Sequence, residues 1–316
     1  MEILVTLPLN EEQRALLAAA APGHALRYLE KERLGPEELE KAQIILGNLA
    51  QPGQLAFCKN LRWIQLNNAG TEGYCERLPR GALLTNATGA YGPVMAEYMV
   101  GAVLSLFWHS ADYCRQQARR CWHKLGHARV IAGSTVLVVG LGDIGSAFGR
   151  RMAALGATVY GVRRRGGRAP DWLAGLVGPE GLDELLPKAD VVALCLPGNA
   201  DTRHTLNRRR IGLLKQDAVV VNVGRGSAVD TDALCEALYA GRLGGAALDV
   251  TDPEPLPPDH PLWAAPNTCI TPHIAGGYAQ PQTLQRVADL CADNLRRYLA
   301  GQELRSVVDL ATGYAR

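Results

Sequence analysis

The spacing Gly140-x-Gly142-x-x-Gly145 constrains this chain more than any other feature. It follows a β-branched run, residues 135–139, that reads as a buried strand, and it opens an apolar helical pattern over residues 143–154. A second strand-like run, residues 157–161, lies where a βαβ unit needs it. Each glycine then has a mechanical task. Gly140 makes the tight strand-to-helix turn, and Gly142 lets the backbone come close to a pyrophosphate. Gly145 lets the helix pack closely on the strand. The helix N-terminus offers unbonded N–H groups and a positive dipole end to the phosphates. A chain with 34 glycines can produce the spacing by chance, but the flanking strands mark it as a dinucleotide turn.

The end of that second strand discriminates between dinucleotides. An acidic residue about 20 positions past the glycines binds the ribose 2′-OH in NAD-binding units. Here Val162 is followed by Arg163, Arg164 and Arg165, with no carboxylate in reach. Guanidinium forks suit a 2′-phosphate, so NADP(H) is expected and NAD(H) is the second possibility. The competing reading is a solvated basic turn.

Composition excludes several classes. A chain of 316 residues can build two domains, and 47% hydrophobic with 20% charged residues is ordinary for a globular protein. A net charge of +2 and basic clusters only three residues long (163–165 and 208–210) point away from a nucleic-acid partner. The chain opens on a strand pattern rather than a signal peptide, and its longest apolar run, residues 98–108, is too short to cross a bilayer. A cytoplasmic protein without a membrane partner is expected. Eight cysteines without a C-x-x-C pair fit reduced thiols. Cys121, His123 and His127 lack a nearby fourth ligand, and no metal is expected.

Strand-like and helical runs alternate throughout, which predicts parallel sheets in an α/β protein. Strands are expected at 2–7, 43–46, 62–66, 190–196, 218–222, 244–250 and 268–271. Helices are expected at 11–20, 93–117, 143–154, 230–240 and 281–299. Three of the later strands end in chemistry. Arg225 lies between two glycines, Glu254 lies between two prolines after Asp249, and His273 follows Thr271-Pro272. Together they supply what hydride transfer to a 2-oxo acid demands. A positive fork holds the carboxylate and polarises the carbonyl, an acid/base supplies the proton, and a carboxylate orients that base.

These motifs resemble the D-isomer-specific 2-hydroxyacid dehydrogenases, the family that includes glyoxylate/hydroxypyruvate reductases, formate dehydrogenase and phosphoglycerate dehydrogenase. The resemblance covers nearly the whole length. It implies an α/β architecture of two Rossmann-like/flavodoxin-like parallel-sheet domains. The NAD(P)-binding domain, 93–280, would be inserted in a discontinuous substrate-binding domain, 1–92 and 281–316. It implies that Arg225 binds and polarises the 2-oxo acid, that His273 is the acid/base and that Glu254 pairs with it. Asp143 and Ile144 would lie against the pyrophosphate with Gly140, Gly142 and Gly145. Asp249 would meet the nicotinamide carboxamide, and Pro197, Thr202, Val223 and Gly276 would complete the cofactor site with Arg163–Arg165. The backbone at Ala69, Gly70 and Thr71 matches the loop that cradles the substrate carboxylate. A homodimer through the cofactor domain is implied as well.

Two departures bear on specificity. The substrate loop reads Asn67-Asn-Ala-Gly-Thr-Glu72, where many members carry an aliphatic residue and Asp after the glycine. Tyr91 stands where smaller residues are common. The leading expectation is NADPH-dependent reduction of a small 2-oxo acid such as glyoxylate or hydroxypyruvate. The alternatives are a nicotinamide-sensing co-regulator and a Rossmann module without turnover, which would not need Arg225, Glu254 and His273 together.

Overall fold

Helix boundaries follow from caps and from apolar spacing. Asn10 accepts the Gln13 N–H at 2.9 Å while Gln13 Oε1 accepts the Asn10 N–H at 3.1 Å, a reciprocal box that starts helix Glu11–Ala20. Gln13, Leu17 and Ala20 then fall on one buried stripe. Helix Pro281–Leu299 begins on a proline and buries Val287, Ala288, Cys291, Ala292 and Leu295 along the same kind of stripe. The computed structural model describes residues 1–164, 166–278 and 280–315.

The chain divides into two compact units, Met1–Tyr91 with Tyr278–Arg316, and Gly92–Gly277. In the first, strands β1 (Ile3–Val5), β2 (Leu26–Tyr28), β3 (Ile44–Leu46), β4 (Trp63–Gln65) and β5 (Leu83–Thr85) form a parallel sheet of order β2-β1-β3-β4-β5. This is the flavodoxin-like order. Helices Glu11–Ala20 and Pro281–Leu299 pack on each other, which brings the end of the chain back to its beginning. A buried polar chain secures that return. Asn294 Nδ2 donates to Gln65 Oε1 at 2.7 Å, which also accepts the Thr85 hydroxyl at 2.7 Å.

The second unit holds β6 (Thr135–Val139), β7 (Thr158–Val162), β8 (Gly175–Val177), β9 (Val191–Leu194), β10 (Val219–Asn222), β11 (Gly245–Leu248) and β12 (Thr268–Ile270). Their order is β12-β11-β10-β9-β6-β7-β8, all parallel, a Rossmann-like sheet with one added outer strand, β12. The runs at β9 and β10 are apolar on both faces because helices cover both sides of a parallel sheet.

Three expectations are corrected here. The long helix splits into Gly92–Phe107 and Ser110–Ala118, because His109 takes a left-handed φ of 52° between them. No glycine or proline marks that break. Strands β2, β5 and β8 had no clear sequence signal, being three residues long and partly exposed at β2 and β8. Most predicted strands also run one to three residues too long in total, because backbone pairing stops where the partner strand stops. Among the described residues, no helix is long and apolar enough to cross a membrane.

Candidate active site

In the second unit the described residues singled out from the sequence emerge from the carboxyl edge of the same sheet. The strand order reverses between β6 and β9, the place where open α/β sheets take ligands. Gly140 follows β6 with φ of 100°, and a Cβ there would meet the Cys195 carbonyl at 2.7 Å. A Cβ at Gly145 would strike the Gly140 carbonyl at 2.1 Å, so close packing of helix Asp143–Ala154 on β6 demands glycine. At Gly142 a Cβ would meet no protein atom, so internal packing does not require glycine there. The open space there leaves room for a phosphate, and the turn fits a dinucleotide. The amides of Ile144 and Gly145 precede the first intrahelical bond, Ser146 N–H to Gly142 C=O at 3.0 Å. The Asp143 carboxylate accepts the Gly92 N–H at 2.9 Å, which turns its charge toward the neighbouring helix start.

The basic turn after β7 is less open than its sequence suggests. Arg163 Nη2 donates to the Gly166 carbonyl at 3.2 Å, and Arg164 pairs with Asp201 at 3.3 Å. Arg165 lies outside the described residues. After β9, Thr202 Oγ1 donates to the Pro197 carbonyl at 2.7 Å and closes that loop. Val223 is buried, and its N–H reaches the Leu194 carbonyl at 3.2 Å.

Arg225 leaves β10 through a turn clamped by buried Asn222, whose Nδ2 donates to the Arg225 carbonyl at 2.9 Å and whose Oδ1 accepts the Gly224 N–H at 3.1 Å. The flanking glycines serve packing rather than exposure. A Cβ at Gly224 would meet the Leu196 carbonyl at 2.4 Å, and one at Gly226 the Thr251 carbonyl at 1.9 Å. The guanidinium is half-buried and donates to the Gly224 carbonyl at 2.8 Å.

Beyond β11 and β12 the structure joins Glu254 to His273, with Oε1 2.7 Å from Nδ1. A carboxylate on Nδ1 selects the tautomer protonated there and leaves Nε2 for proton exchange. His273 takes φ of 53°, a left-handed conformation that its surroundings must hold. Asp249, only 2% exposed, supplies the hold. Its carboxylate accepts the Thr271 hydroxyl at 2.7 Å, the Ile274 N–H at 2.9 Å and the Ala275 N–H at 3.0 Å. Its carbonyl accepts the His273 N–H at 2.9 Å. Tyr98, whose phenol burial pushes up to about 12, adds its hydroxyl 2.6 Å from Thr271 Oγ1. Tyr98 and Thr271 carried no functional signal in the sequence, since one sits in an apolar helix and the other beside a proline. Gly276 follows the same turn and is half-buried. Arg225 and His273 leave strands two apart, which separates their backbones by about 9–10 Å, within reach of one small molecule. Among the described residues no three His, Cys, Asp or Glu side chains group as a metal site.

The first unit carries a loop, 67–71, with an orientation suited to anions. The carbonyls of Asn68, Ala69 and Thr71 accept from Ala87 N–H at 2.9 Å, Asn86 Nδ2 at 2.7 Å and Tyr74 N–H at 3.0 Å. Among the described residues the N–H groups of Asn68, Ala69, Gly70 and Thr71 donate to no protein acceptor. Successive unpaired amides are donors of the kind that can receive an anion.

A dinucleotide turn, with an arginine and a carboxylate–histidine pair along the same sheet edge, defines an NAD(P)-dependent oxidoreductase. Residues 100–275 match the family described as D-isomer specific 2-hydroxyacid dehydrogenase, NAD binding domain. The chain belongs to that family, as an NAD(P)-dependent 2-hydroxyacid dehydrogenase. It is 34% identical over 238 residues to a glyoxylate reductase of Thermofilum pendens, covering 72% of this chain and 68% of that one. It resembles the family member of Xanthobacter autotrophicus solved with NADPH and MES, with TM-score 0.84, 30% identity and 99% coverage of both chains. An NADPH-dependent glyoxylate/hydroxypyruvate reductase of Sinorhizobium meliloti, solved with NADP and sulfate, gives TM-score 0.83, 26% identity and 99% coverage of both.

Proposed function

We propose that this enzyme reduces a small 2-oxo acid, of the glyoxylate or hydroxypyruvate kind, to the D-2-hydroxy acid with NADPH. The observation that carries the reading is the Glu254–His273 pair, 2.7 Å apart, with Arg225 on the same strand edge. Bound NADPH supplies the hydride. His273 delivers the proton to the carbonyl oxygen from Nε2, while Glu254 keeps the ring oriented. Arg225 holds the carboxylate and polarises the carbonyl through charge-assisted bonds. The amides at Ala69, Gly70 and Thr71 are the substrate-carboxylate donors of Met1–Tyr91 with Tyr278–Arg316, which makes that unit the substrate-binding domain.

The residues at the turn would hold the cofactor. Gly140, Gly142, Asp143, Ile144 and Gly145 face the pyrophosphate through backbone. Pro197, Thr202, Val223 and Gly276 line the nicotinamide half. Asp249 Oδ2 takes one protein donor, Ala275 N–H, and keeps lone pairs for the carboxamide. Arg163 carries the preference for the 2′-phosphate, because it stands where an acidic residue would bind the ribose 2′-OH. Relatives solved with NADPH or NADP support that choice. We further propose a homodimer through the cofactor domain, where Trp108, Tyr113, Trp122 and Val130 are all exposed along one segment. Light scattering on purified protein checks it, and a monomeric mass overturns it.

The test of function is a panel of 2-oxo acids assayed with NADPH and with NADH. Steady NADPH oxidation on glyoxylate or hydroxypyruvate is expected. No turnover on any 2-oxo acid with either cofactor overturns the reading.

A further inference from the structure

Asn67 opens the loop 67–71, and each of its polar groups has a partner in the first unit. Its N–H donates to Asn48 Oδ1 at 3.1 Å, and the Asn48 N–H donates back to Asn67 Oδ1 at 2.9 Å. Its Nδ2 donates to the Tyr278 hydroxyl at 2.5 Å. Its carbonyl accepts both the Tyr278 hydroxyl, at 3.1 Å, and the Tyr91 hydroxyl. Tyr91 and Tyr278 are far apart in sequence, yet they are the residues at which the chain leaves the first unit and re-enters it. Both crossings therefore end on one backbone oxygen. Burial raises the pKa of both phenols above the ordinary phenol value, so both stay protonated donors at neutral pH.

Peptide planarity turns that contact into an aiming device. In a trans peptide the C=O of one residue and the N–H of the next point in opposite directions. Fixing the Asn67 carbonyl thus fixes the direction of the Asn68 N–H. The next two planes are fixed in the same manner, by Ala87 N–H on the Asn68 carbonyl and Asn86 Nδ2 on the Ala69 carbonyl. We propose that Tyr91 and Tyr278 are positioning residues for substrate, a pair of hydroxyls that aims the first amide of the carboxylate-binding loop. The proposal rests on the reading that this loop holds the substrate carboxylate. The Tyr91 side chain is buried, so it acts on the loop from beneath.

The experiment uses Tyr91→Phe, Tyr278→Phe and the double variant, assayed with glyoxylate and NADPH. Phenylalanine keeps the ring and removes only the hydroxyl. Each single change should raise the KM for glyoxylate about threefold to tenfold, and the double change by about tenfold or more, the worth of one or two lost hydrogen bonds. At saturation kcat should hold within about twofold, and NADPH affinity should not move, because the cofactor turn lies in the other unit. An unchanged KM in a folded double variant overturns the proposal, and so does a joint fall of kcat and NADPH affinity. Should the double variant not fold, the single variants carry the test. Gly70→Pro, which deletes one loop N–H, separates the two ideas. A raised KM there with silent tyrosine variants leaves the loop reading intact and refutes the tyrosines; an unchanged KM refutes the loop reading and the proposal with it.

Discussion

Asp249→Ala is the perturbation for which the structure supplies a magnitude. The wild-type carboxylate, 2% exposed, accepts one hydroxyl and two backbone N–H groups from the turn that carries His273. A hydrogen bond to a charged group contributes about 1.5–3 kcal/mol. Three would sum to roughly 4–9 kcal/mol, but they share one carboxylate and do not add. Ile274 is exposed, so water can replace its lost acceptor, whereas Ala275 is fully buried and its N–H cannot be rescued that way. The expected loss is about 3–5 kcal/mol, which at about 2–4 °C per kcal/mol lowers the melting temperature by about 6–20 °C. Asp249→Asn keeps the shape and one acceptor oxygen, enough for the Thr271 hydroxyl and the Ile274 N–H, but sets an amide N–H against the Ala275 N–H, so its loss should be about half as large. With the turn loosened, His273 leaves its place against Glu254, and kcat should fall about 10²-fold, the usual consequence of a displacement near 1 Å. Thermal melts and steady-state kinetics on both variants provide the assay. A drop below about 3 °C for Asp249→Ala would show that the turn holds itself. A collapse of NADPH affinity at unchanged melting temperature would assign the carboxylate to the cofactor alone.

The other predictions concern the proposed chemistry directly. His273→Ala should lower kcat by roughly 10²–10⁴-fold with NADPH affinity preserved, and retention of more than about half of kcat would remove it from the role of acid/base. Arg225→Lys keeps charge but loses the fork, so KM should rise and kcat fall together; an unchanged kcat/KM in the 2-oxo acid assay would sink its substrate role. Arg163→Asp should weaken NADPH binding by at least about tenfold while NADH binding holds or improves, read by titrating each cofactor. A wild-type preference for NADH would refute the reading of that turn while leaving the dehydrogenase assignment in place.

Features decided by neighbouring residues were legible before any fold was known. The turn at Gly140, Gly142 and Gly145 is one, because steric limits on a strand-to-helix turn act within six residues. Helices Glu11–Ala20, Asp143–Ala154 and Pro281–Leu299 are others, since caps and a period of 3.6 are local properties. Arg225, Glu254 and His273 could be singled out as strand-end residues for the same reason.

Their relations to one another could not be read along the chain. The 2.7 Å contact of Glu254 with His273 depends on β11 and β12 lying side by side, and Asp249 reaches its donors across the same pair of strands. The glycines beside Arg225 looked like a means of exposing it, but they are required by backbones from β9 and β11 pressing against them. Arg164 looked free and is paired with Asp201, 37 residues away in sequence. Strand β2, at a sheet edge, exists because β1 offers it hydrogen bonds, and its own three residues carry no periodicity strong enough to announce it. Asn67 and Tyr278, separated by 211 residues, are joined at one carbonyl. Local sequence determined turns, caps and the kinds of chemistry available. Tertiary structure alone decided which donor meets which acceptor, because a hydrogen bond requires about 3 Å in space and is indifferent to separation along the chain.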